Sequence, residues 1–132
     1  MVPEEGVTVV PNDTTKYMQN VATMKYTYDM ISDAYYDGRT ICIFRLSDVI
    51  LCKAEIENNL NGPAAALPYL NQIRARAGAP EYGKHNRFPA PSTKEAMNDA
   101  ILKERGYELV FEFQRRADLI RFGKYEEVVM RI

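Results

Sequence analysis

The sequence predicts a mainly α fold: about four helices paired as hairpins, preceded by an irregular segment with short strands. Three observations carry that reading. From Arg45 onward, apolar residues recur at the three- and four-residue spacing of a helix face. Two turn-forming runs, Asn61-Gly62-Pro63 and Gly78-Ala79-Pro80, interrupt the periodicity where helices should end. Before Arg45 the periodicity is missing, and β-branched and aromatic residues crowd around Asp37-Gly38, a short-range hairpin signal.

Residues 1–44 therefore read as extended and turn-rich: Val7, Val9 and Val10 lead into Pro11, and the alternation that follows is only partial. The first helix begins at about Arg45. Leu46, Val49, Ile50, Ile56 and Leu60 make one stripe, while Ile50, Leu51 and Ala54 lean towards another. A helix apolar on two sides is expected between neighbours. Cys52, within that pattern, reads as a small buried hydrophobe.

The second helix carries Ala66, Leu70, Ile73 and Ala77 as a single stripe. Pro63 suits its first turn, but Pro68 lacks the N–H a helix interior needs. That predicts a start near Ala65 or a kink. Residues 79–92 form a loop rich in Pro, Gly and Asn. Ser92 and Glu95 have the spacing of a capping box. The third helix then runs over residues 93–113, with Met97, Ala100, Ile101, Tyr107 and Phe111 on one face. A fourth, over 115–122, closes at Gly123 before a mixed tail. Residues 45–78 make a hairpin of 34 residues, the tetratricopeptide period, and 93–132 supply a second hairpin and tail. The whole of 1–132 reads as one domain fragment.

Seventeen basic and eighteen acidic residues in 132 leave a net charge of −1, which gives no electrostatic case for nucleic acid or an anionic membrane surface. No apolar run approaches the roughly 20 residues that span a bilayer. The acidic start, MVPEEGVTVV, lacks signal-peptide order, so the reading is a cytosolic chain or a piece of a longer one. Cys42 and Cys52 do not make a disulfide scaffold, and with His85 they lack zinc spacing. No Gly-rich phosphate loop is present. Neither a cofactor nor a metal is called for.

The charged residues inside the helical stripes are more informative. Glu104 and Glu108 fall in the apolar stripe of the third helix, one turn apart. Carboxylates placed there must be paired, because bare burial costs several kcal/mol. One reading makes them a general acid and base at a glycosidic bond. The preferred reading is a structural network of Glu104, Glu108, Glu112 and Asp118 with Arg74, Arg76, Arg105, Arg115 and Arg121, with Arg116 also in reach. No catalytic residue is assigned. His85, the one histidine, sits in a loop with no serine motif around it. Tyr26, Tyr28, Tyr35 and Tyr36, among Asp29, Asp33 and Asp37, are candidates for glycan contact, against the plainer reading of half-buried rings with wet hydroxyls. The three aspartates lack a calcium-loop pattern.

Three segments, RLSDVILCKAEIENNLNG (45–62), ALPYLNQIRARAG (66–78) and ILKERGYELVFEFQRRADLIRFGK (101–124), resemble in order and spacing the signatures of the SusD/RagB family. The charged positions that match are Arg45, Asp48, Glu55, Arg74, Arg76, Glu104, Arg105, Glu108, Glu112, Arg115, Asp118 and Arg121. Phe113 stands where that family commonly has Gly, and Gly106 where it has a basic residue. The resemblance implies the helical part of an outer-membrane, cell-surface lipoprotein that binds nutrients, mostly glycans. It implies a TonB-dependent outer-membrane transporter as partner, with the lipid anchor and most glycan-contacting loops outside this chain. It also implies a binding component rather than an enzyme, and no tight sugar site within this chain. A tetratricopeptide-like adaptor that binds a peptide, and more remotely a glycoside hydrolase using Glu104 and Glu108, are the alternatives.

Overall fold

A computed structural model describes residues 42–130. They fall within one compact unit, Thr40–Ile132. The expected strands and the four candidate tyrosines, Tyr26, Tyr28, Tyr35 and Tyr36, lie outside the described residues. Five helices follow in order: α1 Leu46–Asn61, α2 Pro63–Arg76, α3 Lys94–Glu108, α4 Arg115–Arg121 and α5 Tyr125–Val129. The fold is mainly α. α1 packs on both α2 and α3, α2 also meets α3, and α4 links α3 to α5. The last helix was not expected, since residues 124–132 carry no clean stripe; none of α5 is buried.

Local chemistry explains most of the boundaries. Gly62, at φ 90, makes the turn that α1 cannot continue through, and Pro63 follows at the first position of α2. α2 starts at Pro63 and runs on through Pro68, so the late start near Ala65 is not found. Pro68 faces solvent, and the buried Ala66, Leu70 and Ile73 hold the helix to its neighbours despite the missing bond. α2 and α4 end alike. Gly78 and Gly123 adopt positive φ, and the residue after each donates back to a carbonyl five residues earlier: Ala79 N to Arg74 O, and Lys124 N to Leu119 O, both at 2.8 Å.

α3 departs from expectation at both ends. Its N-cap is Thr93, whose Oγ1 accepts from Ala96 N at 3.1 Å, so the box spaced from Ser92 to Glu95 is out by one residue. Asn58, fully buried on α1, fixes that register by donating to Lys94 O at 2.9 Å and to Asn98 Oδ1 at 2.8 Å. At the other end α3 stops at Glu108 rather than reaching residue 113. Turns follow, with Phe111 at φ 61 and Phe113 at φ 63.

The core is Leu51 and Ala54 from α1, Ala66, Leu70 and Ile73 from α2, and Met97, Ala100 and Ile101 from α3. α1 buries Ser47, Asp48, Leu51, Ala54 and Asn58. Its longer stripe is on the other side: Leu46 is 72% exposed and Leu60 74%, with Val49 and Ile56 also open. Tyr107, Phe111 and Ala77 are exposed as well, as is Cys52. Counting large apolar residues selects the wrong face of α1. The small and polar side chains let α2 and α3 come close, and burial follows close packing rather than side-chain bulk.

Candidate functional site: ion pairs joining the helices and the cleft beside them

The i, i+4 repeat places Ala100, Glu104 and Glu108 on one side of α3, so two carboxylates are carried towards the helices that pack there. Three groups of ion pairs answer them. In the first, Arg74 Nη1 on α2 lies 2.7 Å from Glu104 Oε2, and both side chains are 5% exposed. Arg74 Nε donates to Pro80 O at 2.6 Å. Its guanidinium carbon stands 4.6 Å from the Tyr82 ring centroid and 4.7 Å from that of Phe88. Those two rings meet edge to face, 5.9 Å apart. One buried cation thus has a carboxylate, a carbonyl and two aromatic rings as partners, which offsets its loss of water.

The second group ties the start of α1 to the end of α3. Arg45 Nε reaches both oxygens of Glu112, at 2.8 and 2.9 Å. Arg45 Nη1 binds the Glu108 carboxylate and the Ser47 hydroxyl, and Nη2 donates to the Glu108 backbone carbonyl. Arg76 Nη2 completes the set, 2.6 and 2.7 Å from the two Glu108 oxygens. Burial alone would raise the Glu108 carboxyl. Donation from Arg45, Arg76 and Ser47 outweighs it and holds Glu108 below the usual carboxylate value. Burial likewise opposes the Arg45 charge, but the two glutamates leave its pKa raised.

The third group centres on Arg105, whose side chain is 3% exposed. Nη2 lies 2.7 Å from Asp48 Oδ1 on α1, and Nε lies 2.8 Å from Asp118 Oδ2 on α4. The Nε–H is not aligned on a hydrogen-bond acceptor, so that contact is an ion pair by proximity. Arg121 extends the group, 3.2 Å from Asp118 Oδ1 and bonded to Glu55. Burial works against the Arg105 charge, but Asp118 and then Asp48 outweigh it and raise the guanidinium pKa. Arg121 behaves in the same way, with Glu55 the main partner.

Arg115 stands apart from its expected company. It donates to Leu102 O at 2.9 Å, and a Cβ on Gly106 would sit 2.8 Å from its Nη1. The glycine inside α3, costly to a helix by about 1 kcal/mol, makes room for that guanidinium. Arg45, Asp48 and Glu55 are members that the sequence reading leaves out of the network. Asp48 and Asn58 lie on the helical line of Leu51 and Ala54, and polar residues at that spacing were the available signal. His85 lies in the 79–92 loop, exposed, pairing in a short bridge with Phe88. Among the described residues no group of three or more His, Cys, Asp or Glu is placed to hold a metal. Among the same residues, no helix is long and apolar enough to cross a membrane.

Beside the first two groups lies a half-open cleft of about 340 Å³. Tyr82 and Phe88 of the loop line it, as do Lys103, Glu104, Tyr107 and Glu108 of α3. The loop wall is held in place twice over: Arg74 binds Pro80 O, and Asn71 exchanges hydrogen bonds with Tyr82, Nδ2 to O at 2.9 Å and N to Oδ1 at 2.8 Å.

The SusD family matches residues 6–131, nearly the entire chain. The chain belongs to the SusD family. It is 44% identical over 87 residues to SusD-like protein P25 of Formosa agariphila, covering 66% of this chain and 16% of that protein. It is 37% identical over 95 residues to SusD-like protein P38 of the same organism, covering 70% and 19%. A third relative, SusD-like protein P2, is 33% identical over 89 residues, 64% of this chain and 17% of that protein. The chain thus spans less than a fifth of the curated relatives it matches. No solved structure matches it. In this SusD-family chain, every charged residue that carried the resemblance, Arg115 excepted, takes part in one of the three ion-pair groups.

Proposed function

We propose that this chain is the helical scaffold of a SusD-type, cell-surface nutrient-binding lipoprotein. On this reading the parent protein takes up glycans together with a TonB-dependent outer-membrane transporter, to which a lipid anchor keeps it close. The paired helices act as a rigid frame whose outer surface docks the transporter, and the ligand is held mostly by loops elsewhere in the parent. Tyr26, Tyr28, Tyr35 and Tyr36 are proposed as accessory glycan contacts.

One observation carries the proposal: in a SusD-family chain, the signature carboxylates are occupied with holding helices together. Glu104 is enclosed and gripped by Arg74, and Glu108 is bound by two arginines and held ionised. A general acid needs a raised pKa and an open path to substrate, which supports a non-catalytic reading. We assign Glu104, Glu108, Glu112, Arg74, Arg76, Arg105, Asp118 and Arg121 to structure.

The test is affinity purification of the tagged parent protein from its native outer membrane, followed by incubation with an oligosaccharide panel. A co-purified TonB-dependent transporter, with saturable binding and no hydrolysis, is expected. Purification without a transporter, or release of shorter sugars that ends in an E104Q/E108Q variant, overturns the reading.

A further inference from the structure

The cleft between the 79–92 loop and α3 carries chemistry that the ion-pair network does not use. Glu104 is matched by Arg74, and Glu108 by Arg45 and Arg76. Lys103, exposed on the cleft, has no ion pair among the described residues. One turn further along α3, Tyr107 also lines the cleft and is 62% exposed. Across from them stand Tyr82 and Phe88, fixed by Arg74 and Asn71 before any ligand arrives. A volume of about 340 Å³ is near the lower end for small-molecule sites and admits one ring rather than a chain of them.

We propose that this cleft binds a small cyclic carboxylate: a six-membered ring whose flat apolar face lies on the aromatic side chains and whose anion meets Lys103. The uncompensated ammonium selects the charge, the rings select the flat face, and the pinned loop lowers the ordering cost of binding. A uronic acid and an aromatic carboxylate share this chemistry. The cleft is a single-ring site, and it stands whether or not a transporter co-purifies.

The test is a ¹H–¹⁵N NMR titration of the full chain with sodium glucuronate, sodium phenylacetate and, as the uncharged control, glucose. At least one acid is expected to give saturable shifts confined to Lys103, Tyr107 and residues 82–88, with a Kd on the order of 1–10 mM. Glucose should bind at least about fivefold more weakly than that acid. Tighter binding of glucuronate marks an acidic sugar as the ligand, and tighter binding of phenylacetate an aromatic acid. Lys103→Gln should weaken the acid about fivefold and leave glucose unchanged, while Lys103→Arg restores it. Lys103 faces solvent, so both variants keep the fold. The proposal falls if neither acid saturates, if the shifts lie elsewhere, or if Lys103→Gln leaves them as they were.

Discussion

Arg45 grips Glu108 twice, at the side-chain carboxylate and at the backbone carbonyl that ends α3. The second contact is a C-terminal cap delivered from sixty-three residues away in sequence. It leaves the chain free to turn and bring Glu112 back onto the same guanidinium.

That grip sets an acid limit on stability. The folded pKa of Glu108 lies below its ordinary value of 4.5, so between the two the folded state binds fewer protons than the unfolded chain. The contribution is complete above about pH 4.5 and is lost as pH falls through the folded pKa. Urea midpoints should therefore be flat above that point and drop below it. Glu108→Gln should lower stability at neutral pH by about 1–3 kcal/mol, modest because Arg76 is 61% exposed, and should flatten the acid slope.

Arg105 is the costliest cation to remove. Arg105→Ala strands Asp48 in the interior, leaves Asp118 only the half-exposed Arg121, and should cost about 3–5 kcal/mol by urea denaturation. Replacing all three, as Arg105→Met with Asp48→Asn and Asp118→Asn, should recover part of that loss, because no bare charge is left behind. A triple variant less stable than the single one would contradict the account.

Phe113 holds φ at 63 with its ring 85% exposed, so it bears backbone strain and gains little from packing. Phe113→Gly should raise thermal stability by about 1 kcal/mol. Glycine is the residue common at this position in the SusD/RagB pattern, and the left-handed backbone supplies the reason.

Gly106→Ala should come out near neutral, since the gain in helix propensity is offset by displacement of Arg115 from Leu102 O. In an Arg115→Ala background the same change should stabilise by about 1 kcal/mol. A double-mutant cycle measures the difference.

Asn71→Ala removes both bonds to the Tyr82 backbone, so amide exchange in residues 81–88 should speed up by about tenfold or more while the core amides of α1 and α3 hold.

The linear chain by itself determined that helices form, where α2 and α4 stop, and that Glu104 and Glu108 needed arginine partners, because turn glycines and buried charge obey local or one-body rules. Its ordered signatures also pointed to the SusD/RagB family. Tertiary structure decided the rest. Leu46 and Leu60 outrank Ser47 and Asn58 in hydrophobicity, yet the latter are buried, since the close approach of α2 and α3 selects small and hydrogen-bonding side chains. α3 ends at Glu108 because a guanidinium distant in sequence takes its last carbonyl. Arg45 joins that network and Arg115 leaves it for a space that only Gly106 provides. Pairings of this kind depend on distances between helices, and helical periodicity within one segment carries no measure of them.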